Sequence, residues 1–358
     1  MFRKRLLYIL MLMFSTLHSH AQEYSWRLGL DYFFNNGEYD ASNYVKSGTM
    51  NGIWLNPIGS VTWEERHSIQ AGVNLLKIPG RGKALDKTDV TLFYQYERPN
   101  MLFRAGSFPR GEVLDNYNTF FFKDSVNHFI PLMQGIFWQA GNNENFVNLW
   151  LDWTGYATPG IHESFFAGIS GKWSKNRLFA DFQSYMFHHS MTSPAIEGEG
   201  VNENLQIQVS TGAQFTQDER LNGSVSIGVL AGYERDRRPD GIKYTPVGFT
   251  SRIEAEYLGI GTSNNIYVGQ PRMRLSGIFG DNLYWGTQFL QGRYYVRSDW
   301  HIRLIESGRV KVKLNSNLHF SEGNVMFQQL FTVSAAIGNQ AEKSKSKAIY
   351  PWARIFNR

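Results

Sequence analysis

A period-two alternation of apolar and polar residues runs through most of this sequence and constrains the fold more than any other feature. In the first such segment the apolar face consists of Tyr24, Trp26, Leu28, Leu30 and Tyr32. The pattern returns in about sixteen segments of roughly ten residues each. One segment alone would fit a soluble β-sandwich as well as a membrane barrel. The repetition along the whole chain predicts a large antiparallel sheet with one apolar surface.

The connections between these segments alternate between short polar turns and longer loops. Short turns on one side and long loops on the other, with an even number of strands, are typical of bacterial outer-membrane barrels. A closed sheet also gives every backbone donor in hydrocarbon a partner without leaving an edge. The sequence therefore predicts an all-β fold, a transmembrane antiparallel up-and-down β-barrel of about 16 strands, with 14 or 18 as alternatives.

The first 21 residues have the features of a secretory signal peptide. A basic start, an apolar run and the small-residue motif Ser19-His20-Ala21 predict export and cleavage after Ala21. Residues 22–337 are predicted to form the barrel in the cell outer membrane of a Gram-negative envelope. Residues 338–358 are expected to be a C-terminal tail, unless 347–356 form a closing strand and raise the count to eighteen.

Composition excludes several other classes of protein. The mean hydropathy of −0.35 and the lack of a long apolar run after the signal argue against a helical membrane protein. The formal charge of +5 falls to +2 without the three basic residues of the signal, and no basic cluster interleaved with aromatics suggests nucleic-acid binding. The chain has no cysteine, so neither a disulfide nor a lipoprotein anchor is expected.

Residues 106–131 interrupt the alternation with a mixture of charged and aromatic side chains. This stretch follows the predicted fifth strand and forms the third long outer loop, which in porins folds inward and narrows the channel. We predict the same here, because the run Phe120-Phe121-Phe122 would otherwise expose a large apolar surface to water. The alternative is an ordinary outer loop that packs on the barrel rim. The candidate constriction residues are Arg104, Arg110, Glu112, Asp115, Lys123 and Asp124.

A barrel of about sixteen strands is wide enough to hold water in its lumen. Charges of the two signs nearly balance on the predicted inner face, so no ion selectivity is predicted, and the same charges could instead satisfy one another across neighbouring strands. The residues assigned to the lumen are Arg27, Trp150, Asp152, Arg252, Glu254, Arg297, Arg303, Lys311 and Lys313. Aromatic girdles at the two membrane interfaces are expected from Trp26, Trp54, Trp63, Trp153, Trp173 and Trp300.

The sequence contains one group of residues that could be considered for catalysis. His188-His189-Ser190, with Asp181 upstream, is the nearest approach to a serine, histidine and acid set. Adjacent strand residues point to opposite faces, so His189 and Ser190 cannot pair simply on one face. The sequence is therefore interpreted as a non-enzyme with no catalytic residue, no metal site and no cofactor.

Three short runs carry a family resemblance: Phe103 to Arg110 (FRAGSFPR), Trp150 to Trp153 (WLDW) and Leu283 to Gly286 (LYWG). Together with the signal and the alternating strands, they resemble a porin-like barrel family of Bacteroidota outer membranes. The resemblance implies an outer-membrane barrel and carries no established substrate or catalytic residues. The lysine-rich end of the chain departs from the aromatic terminus that is common in outer-membrane barrels.

These observations favour a porin-like outer-membrane channel for the passive passage of small hydrophilic solutes, sugars among them, with the lumen narrowed by the loop 108–131. The alternative is a closed barrel that acts as a surface receptor, adhesin or structural protein. An outer-membrane lipid hydrolase is the third hypothesis. The expected partners are outer-membrane lipid and small hydrophilic solutes but no nucleic acid, and homo-oligomerisation is left open.

Overall fold

The computed structural model of the protein describes residues 22–142, 144–217 and 221–340. The predicted signal peptide and the proposed closing strand 347–356 lie outside these residues. The described part of the chain contains the strands β1 Glu23–Glu38, β2 Gly48–Trp63, β3 His67–Lys77, β4 Lys87–Arg98, β5 Met101–Pro109, β6 Leu132–Gly141, β7 Phe146–Gly155, β8 Ser164–Lys175, β9 Leu178–His189, β10 Asn202–Gln217, β11 Leu221–Asp236, β12 Lys243–Tyr244, β13 Val247–Tyr257, β14 Ile260–Gly269, β15 Tyr294–Glu306, β16 Val310–Ser321 and β17 Asn324–Gly338.

These strands form one antiparallel sheet that closes on itself. Each long strand pairs with its neighbours in the sequence, and β1 pairs with both β2 and β17, so no edge is left open. Because β12 has two residues and adds only a short outer extension beside β11, the closed wall consists of sixteen strands. The predicted fold and strand number are confirmed, and the barrel closes without residues 347–356.

The two faces of the wall follow the period-two pattern. Exposed apolar side chains such as Val209, Ile227 and Phe249 point outward, where lipid surrounds the barrel. Trp26, Trp153, Trp173 and Trp300 are exposed in the same way, as the girdle prediction requires. The girdle prediction is wrong for Trp54, which is 5% exposed and points inward. Its Nε1 donates a hydrogen bond to the His128 carbonyl at 2.8 Å.

Long connections and short turns lie at opposite ends of the barrel, which identifies the end with the short turns as periplasmic. Two of the long outer connections run inward rather than away from the membrane. The first inward loop comprises residues 110–131 and contains helix α1 Asp124–Phe129. The second inward loop comprises residues 270–293 and contains helix α2 Ser276–Phe279. Among the described residues, no helix is long and apolar enough to cross a membrane.

Candidate functional site

The first inward loop crosses the lumen and binds several parts of the wall. Near its start, the Tyr117 hydroxyl donates to the Ser184 carbonyl of β9 at 2.9 Å, and Asn118 Nδ2 donates to Gln208 of β10 at 2.9 Å. Near its end, the His128 ring stacks on Phe33 of β1 with centroids 4.4 Å apart. The loop therefore spans the barrel from one wall to the other.

Two ion pairs fix this loop to the wall. Arg110, 3% exposed, has Nη2 2.7 Å from Asp152 Oδ2, and the same nitrogen donates to the Leu132 carbonyl at 3.1 Å. The carboxylate contact is an ion pair without the alignment of a good hydrogen bond. Asp124 lies 3.1 Å from Arg297 Nη1. Burial alone would raise the pKa of Asp124, but Arg297 and the hydrogen bond from Gln328 outweigh it and hold this pKa below its usual value.

The second inward loop is anchored on a single carboxylate of β11. The Glu234 oxygens accept hydrogen bonds from the backbone N–H groups of Met273 and Arg274, each at 2.7 Å, and from the Tyr284 hydroxyl at 2.8 Å. Since Glu234 is 1% exposed, these donors satisfy a charge that water cannot reach. The motif Leu283 to Gly286, which includes Trp285, is thereby directed into the lumen.

The two inward loops meet in the outer half of the barrel and form an apolar core. The Lys123 N–H donates to the Trp285 carbonyl at 2.7 Å, and the Thr287 N–H donates to the Thr119 carbonyl at 3.0 Å. Buried rings from both loops and from the wall surround this contact, namely Phe120, Phe121, Phe122, Phe137, Trp150, Phe166, Tyr185, Phe187, Tyr284, Trp285 and Tyr295. Packed side chains therefore fill this part of the lumen.

The six predicted constriction residues are divided between different surroundings. Arg110 and Asp124 form the buried pairs described above, and Lys123 pairs with Asp281 of the second inward loop. Arg104 donates to Glu112 at 2.7 Å beneath the core. Asp115 is exposed nearby, and its partial desolvation inside the barrel raises its pKa. The structure thus brings Arg104 and Glu112 together but does not arrange all six around one opening.

The predicted lumen residues form short-range pairs along the inner wall. Arg27 lies 3.6 Å from Glu112, Arg252 pairs with Glu254, and Arg303 Nη2 lies 2.7 Å from Glu256. Trp150 and Asp152 are buried against the first inward loop. Lys311 and Lys313 lie on one face of β16 towards the periplasmic end. The sequence left open whether these charges select ions or neutralise one another. Neutralisation between neighbouring strands accounts for the ion pairs described here.

A polar cavity of about 880 Å³ lies between the inward loops and the periplasmic ends of the strands. Amide and hydroxyl side chains alternate in its lining with charged groups, among them Asp115, Lys172, Asp181, Arg252 and Arg303. The lumen is thus divided into an apolar outer half and a polar periplasmic half.

A cluster of histidine, serine and glutamate residues lies at the outer rim, where β8 begins and β9 ends. The His162 ring stacks on His189 with centroids 4.6 Å apart, and its Nδ1 lies 2.7 Å from the Ser190 carbonyl. A carbonyl can only accept, so Nδ1 carries the proton. His162 Nε2 faces Glu199 Oε1 at 3.7 Å. The His189 Nδ1 is buried without a hydrogen-bond partner among the described residues.

Glu199 is held in place by its own loop. The backbone N–H groups of Ile196 and Thr192 each donate to Oε2 at 3.0 Å and hold the pKa of Glu199 below its usual value. The carboxylate therefore stays ionised beside His162 over a wider range of pH. We refer to His162, His189, Ser190 and Glu199 as the rim cluster.

The acid of the rim cluster is Glu199 and not Asp181, which the sequence suggested. Asp181 lies eight positions before His189 on β9 and lines the periplasmic cavity instead. Because a strand rises about 3.3 Å per residue, these two residues are roughly 25 Å apart. His162 and Glu199 were missed because they lie on separate outer loops, and no local spacing links them to His189.

The closed sheet, the outward apolar band and the inward loops define the class of this protein as a porin-like outer-membrane β-barrel. The chain belongs to the lipid A 3'-O-deacylase-type family, whose model matches residues 17–336. The interpretation as a non-enzyme is wrong on this finding, since the family is described by an enzymatic activity. No curated protein matches the sequence.

Solved structures show the same fold at low sequence identity. An anion-selective porin from Comamonas acidovorans is 9% identical with a TM-score of 0.51, covering 89% of this chain and 100% of the porin. OccK8 (OprE) of Pseudomonas aeruginosa is 10% identical with a TM-score of 0.51, covering 88% of this chain and 98% of that one. At sequence identities this low, the similarity shows only that the fold is shared. The predicted porin-like barrel and outer-membrane location are confirmed, whereas the Bacteroidota origin stays a prediction.

Proposed function

We propose that this barrel hydrolyses an acyl ester of an outer-leaflet lipid, in the manner that the lipid A 3'-O-deacylase-type family description implies. The observation that carries the proposal is the rim cluster, in which a histidine is oriented by a carbonyl and faces an ionised carboxylate. Its place at the outer ends of β8 and β9 is the level at which lipid headgroups join their acyl chains.

The chemistry follows from the tautomer of His162. With its proton on Nδ1, the ring has a lone pair on Nε2 and acts as a general base. A water molecule attacks the acyl carbonyl and gives its proton to Nε2, and Glu199 stabilises the imidazolium that forms. The bond between the acyl carbon and the sugar oxygen then breaks, and the imidazolium returns the proton to that oxygen. The products are a fatty acid and a free hydroxyl group.

Water is the assigned nucleophile because Ser190 contacts His162 through its backbone carbonyl. Ser190→Ala is accordingly expected to keep the activity, since alanine retains the carbonyl. A loss of activity in this variant would transfer the role of nucleophile to the Ser190 hydroxyl.

His162→Gln is expected to lower the release of fatty acid at least about a hundredfold, the usual contribution of a general base. The measurement is mass spectrometry of fatty acid released from lipid A in mixed micelles by the refolded full chain. The matched control is His67→Gln at a periplasmic turn, where His67 Nε2 also faces a glutamate, Glu64, at 3.6 Å. The proposal is wrong if the unmodified protein releases no fatty acid, or if His162→Gln is as active as His67→Gln.

A second candidate function is passive passage of small hydrophilic solutes, sugars among them, through a lumen narrowed by the loop 108–131. The observation that favours it is the polar cavity of about 880 Å³ beneath the inward loops. Passage requires the two loops to separate, because their rings fill the outer half of the lumen. Arg104, Glu112 and Asp115 would then border the opening on the cavity side.

Liposome swelling with sugars of graded size tests this candidate. The full chain is expected to admit small sugars slowly, and deletion of 111–129 is expected to raise both the rate and the size limit because it removes half of the core. Heat-modifiable migration on a gel checks that the deleted protein still forms a barrel. A folded deletion variant that remains sealed would exclude the channel.

A further inference from the structure

A row of outward-facing side chains crosses the outer ends of β7 to β12. On these strands the register places Trp153 beside Phe165, Phe165 beside His188, His188 beside Glu203, and Glu203 beside Arg235. Lys243 of β12 lies beside Arg235 and continues the row. Stacked rings begin it, with centroids 5.1 Å apart for Trp153 and Phe165. The row changes from aromatic at β7 to basic at β12, and on β9 it passes His188, whose neighbour His189 belongs to the rim cluster and points to the other face of the strand.

The basic end of this row has an unbalanced charge. Arg237 donates from Nε to Glu203 at 3.2 Å and neutralises that carboxylate. Arg235 and Lys243 are exposed, and neither forms an ion pair within the part of the chain that the structure describes. The Lys243 ammonium lies 5.5 Å from the centre of the Tyr233 ring. Two cations therefore share the outer wall with no anion of the protein between them.

The position of the two cations along the membrane normal follows from β11. Val229 is 48% exposed and lies on the same outward face as Tyr233 and Arg235, within the apolar band. Residues on one face of a strand follow one another at about 7 Å, so Arg235 lies roughly 20 Å beyond Val229 along the strand, which is about 15 Å along the membrane normal for a strand tilted by about 40°. Tyr233, between them, is where an interface aromatic is expected. Arg235 and Lys243 thus lie at the level of lipid headgroups.

We propose that Arg235 and Lys243 bind a phosphate group on the headgroup of a glycolipid in the outer leaflet. The proposal rests on the proposed function, because it places this phosphate beside the rim cluster. Two strand spacings separate β11 from β9, about 10 Å, a distance that one sugar headgroup covers. The phosphate would then hold the headgroup beside the outer end of β9, from where an acyl ester reaches His162 over the rim of the wall.

The test measures binding rather than hydrolysis, with His162→Gln present in every protein so that no lipid is consumed. The probes are bisphosphorylated lipid A and its phosphate-free counterpart, each titrated into the refolded full chain and followed by native mass spectrometry. Arg235→Gln with Lys243→Gln is expected to weaken binding of the bisphosphorylated lipid about thirtyfold, because each cation near an anionic headgroup contributes about a factor of five. Binding of the phosphate-free lipid should be unaffected by the two substitutions.

The matched control is Lys46→Gln with Lys83→Gln, two exposed lysines on the outer connections after β1 and β3. These loops lie about halfway round the barrel from β11, so the control removes the same charge and should leave binding unchanged. Equal affinity in the two double variants would overturn the proposal. Complete competition by millimolar inorganic phosphate would also overturn it, since the site would then take the free ion. Loss of binding alongside an inactive unmodified protein would support this site and reject the hydrolase.

Discussion

Arg110→Ala is expected to destabilise the first inward loop by about 3–5 kcal/mol, the range for removing one partner of a buried ion pair. Asp152 is 1% exposed, so its charge would stay buried and lose its cation. The guanidinium also covers the Trp285 and Phe122 rings, at 5.0 Å and 5.4 Å from their centres. The substitution therefore weakens both the attachment to the wall and the contact between the two inward loops.

Amide hydrogen exchange of residues 110–131 in the refolded barrel is the appropriate measurement, since it reports local opening. A loss of about 3 kcal/mol corresponds to exchange about a hundredfold faster. Arg104→Ala is the matched control, because its partner Glu112 borders the cavity and stays hydrated after the change. If the two variants exchange at the same rate, the Arg110 pair does not hold the loop.

Gly286→Ala is expected to separate the two inward loops, at a cost of about 3 kcal/mol. A methyl group on Gly286 would lie 2.0 Å from the Phe120 carbonyl oxygen, which belongs to the backbone of the first inward loop. A backbone atom cannot rotate away as a flexible side chain does. The Phe120 carbonyl also accepts a hydrogen bond from Gln206 at 2.8 Å, so its displacement would break a contact with the wall.

Gly277→Ala is the matched control within the same loop, because a methyl group there meets no atom within 4 Å. Tryptophan fluorescence and bilayer conductance follow the change, since Trp285 would become hydrated and the outer half of the lumen would open. We expect Gly286→Ala to show a red-shifted emission and a new conductance, and Gly277→Ala to show neither. Identical behaviour of the two variants would mean that the loops do not depend on this contact.

The first inward loop illustrates how far sequence reasoning reaches. Its position after the fifth strand and its Phe120-Phe121-Phe122 run were sufficient to predict an inward path, and its residues do contact the inner wall. The sequence shows the second inward loop only as one of the longer connections between strands. Glu234 accepts the hydrogen bonds that hold this loop on the wall. In the sequence it is one more polar residue of an alternating strand, so no local pattern indicates that it anchors a loop.

The rim cluster could not be predicted for a similar reason. The sequence shows His188-His189-Ser190, but Asp181, the nearest acid upstream, is not its partner, because strand geometry takes Asp181 towards the periplasm. Glu199 reaches His162 only through the fold of two separate loops. Within a strand, the separation of two residues in the sequence predicts their distance in space. Between residues of different loops it does not.

The sequence by itself determined the barrel, an approximate strand number and its place in the outer membrane. These properties depend on period-two alternation and on the need of every backbone donor in hydrocarbon for a partner, and both are local. Only the tertiary structure decided what fills the lumen and which side chains meet at the rim. Lys123 and Asp281 pair across 158 residues, and contacts of that separation depend on how the closed wall directs its loops.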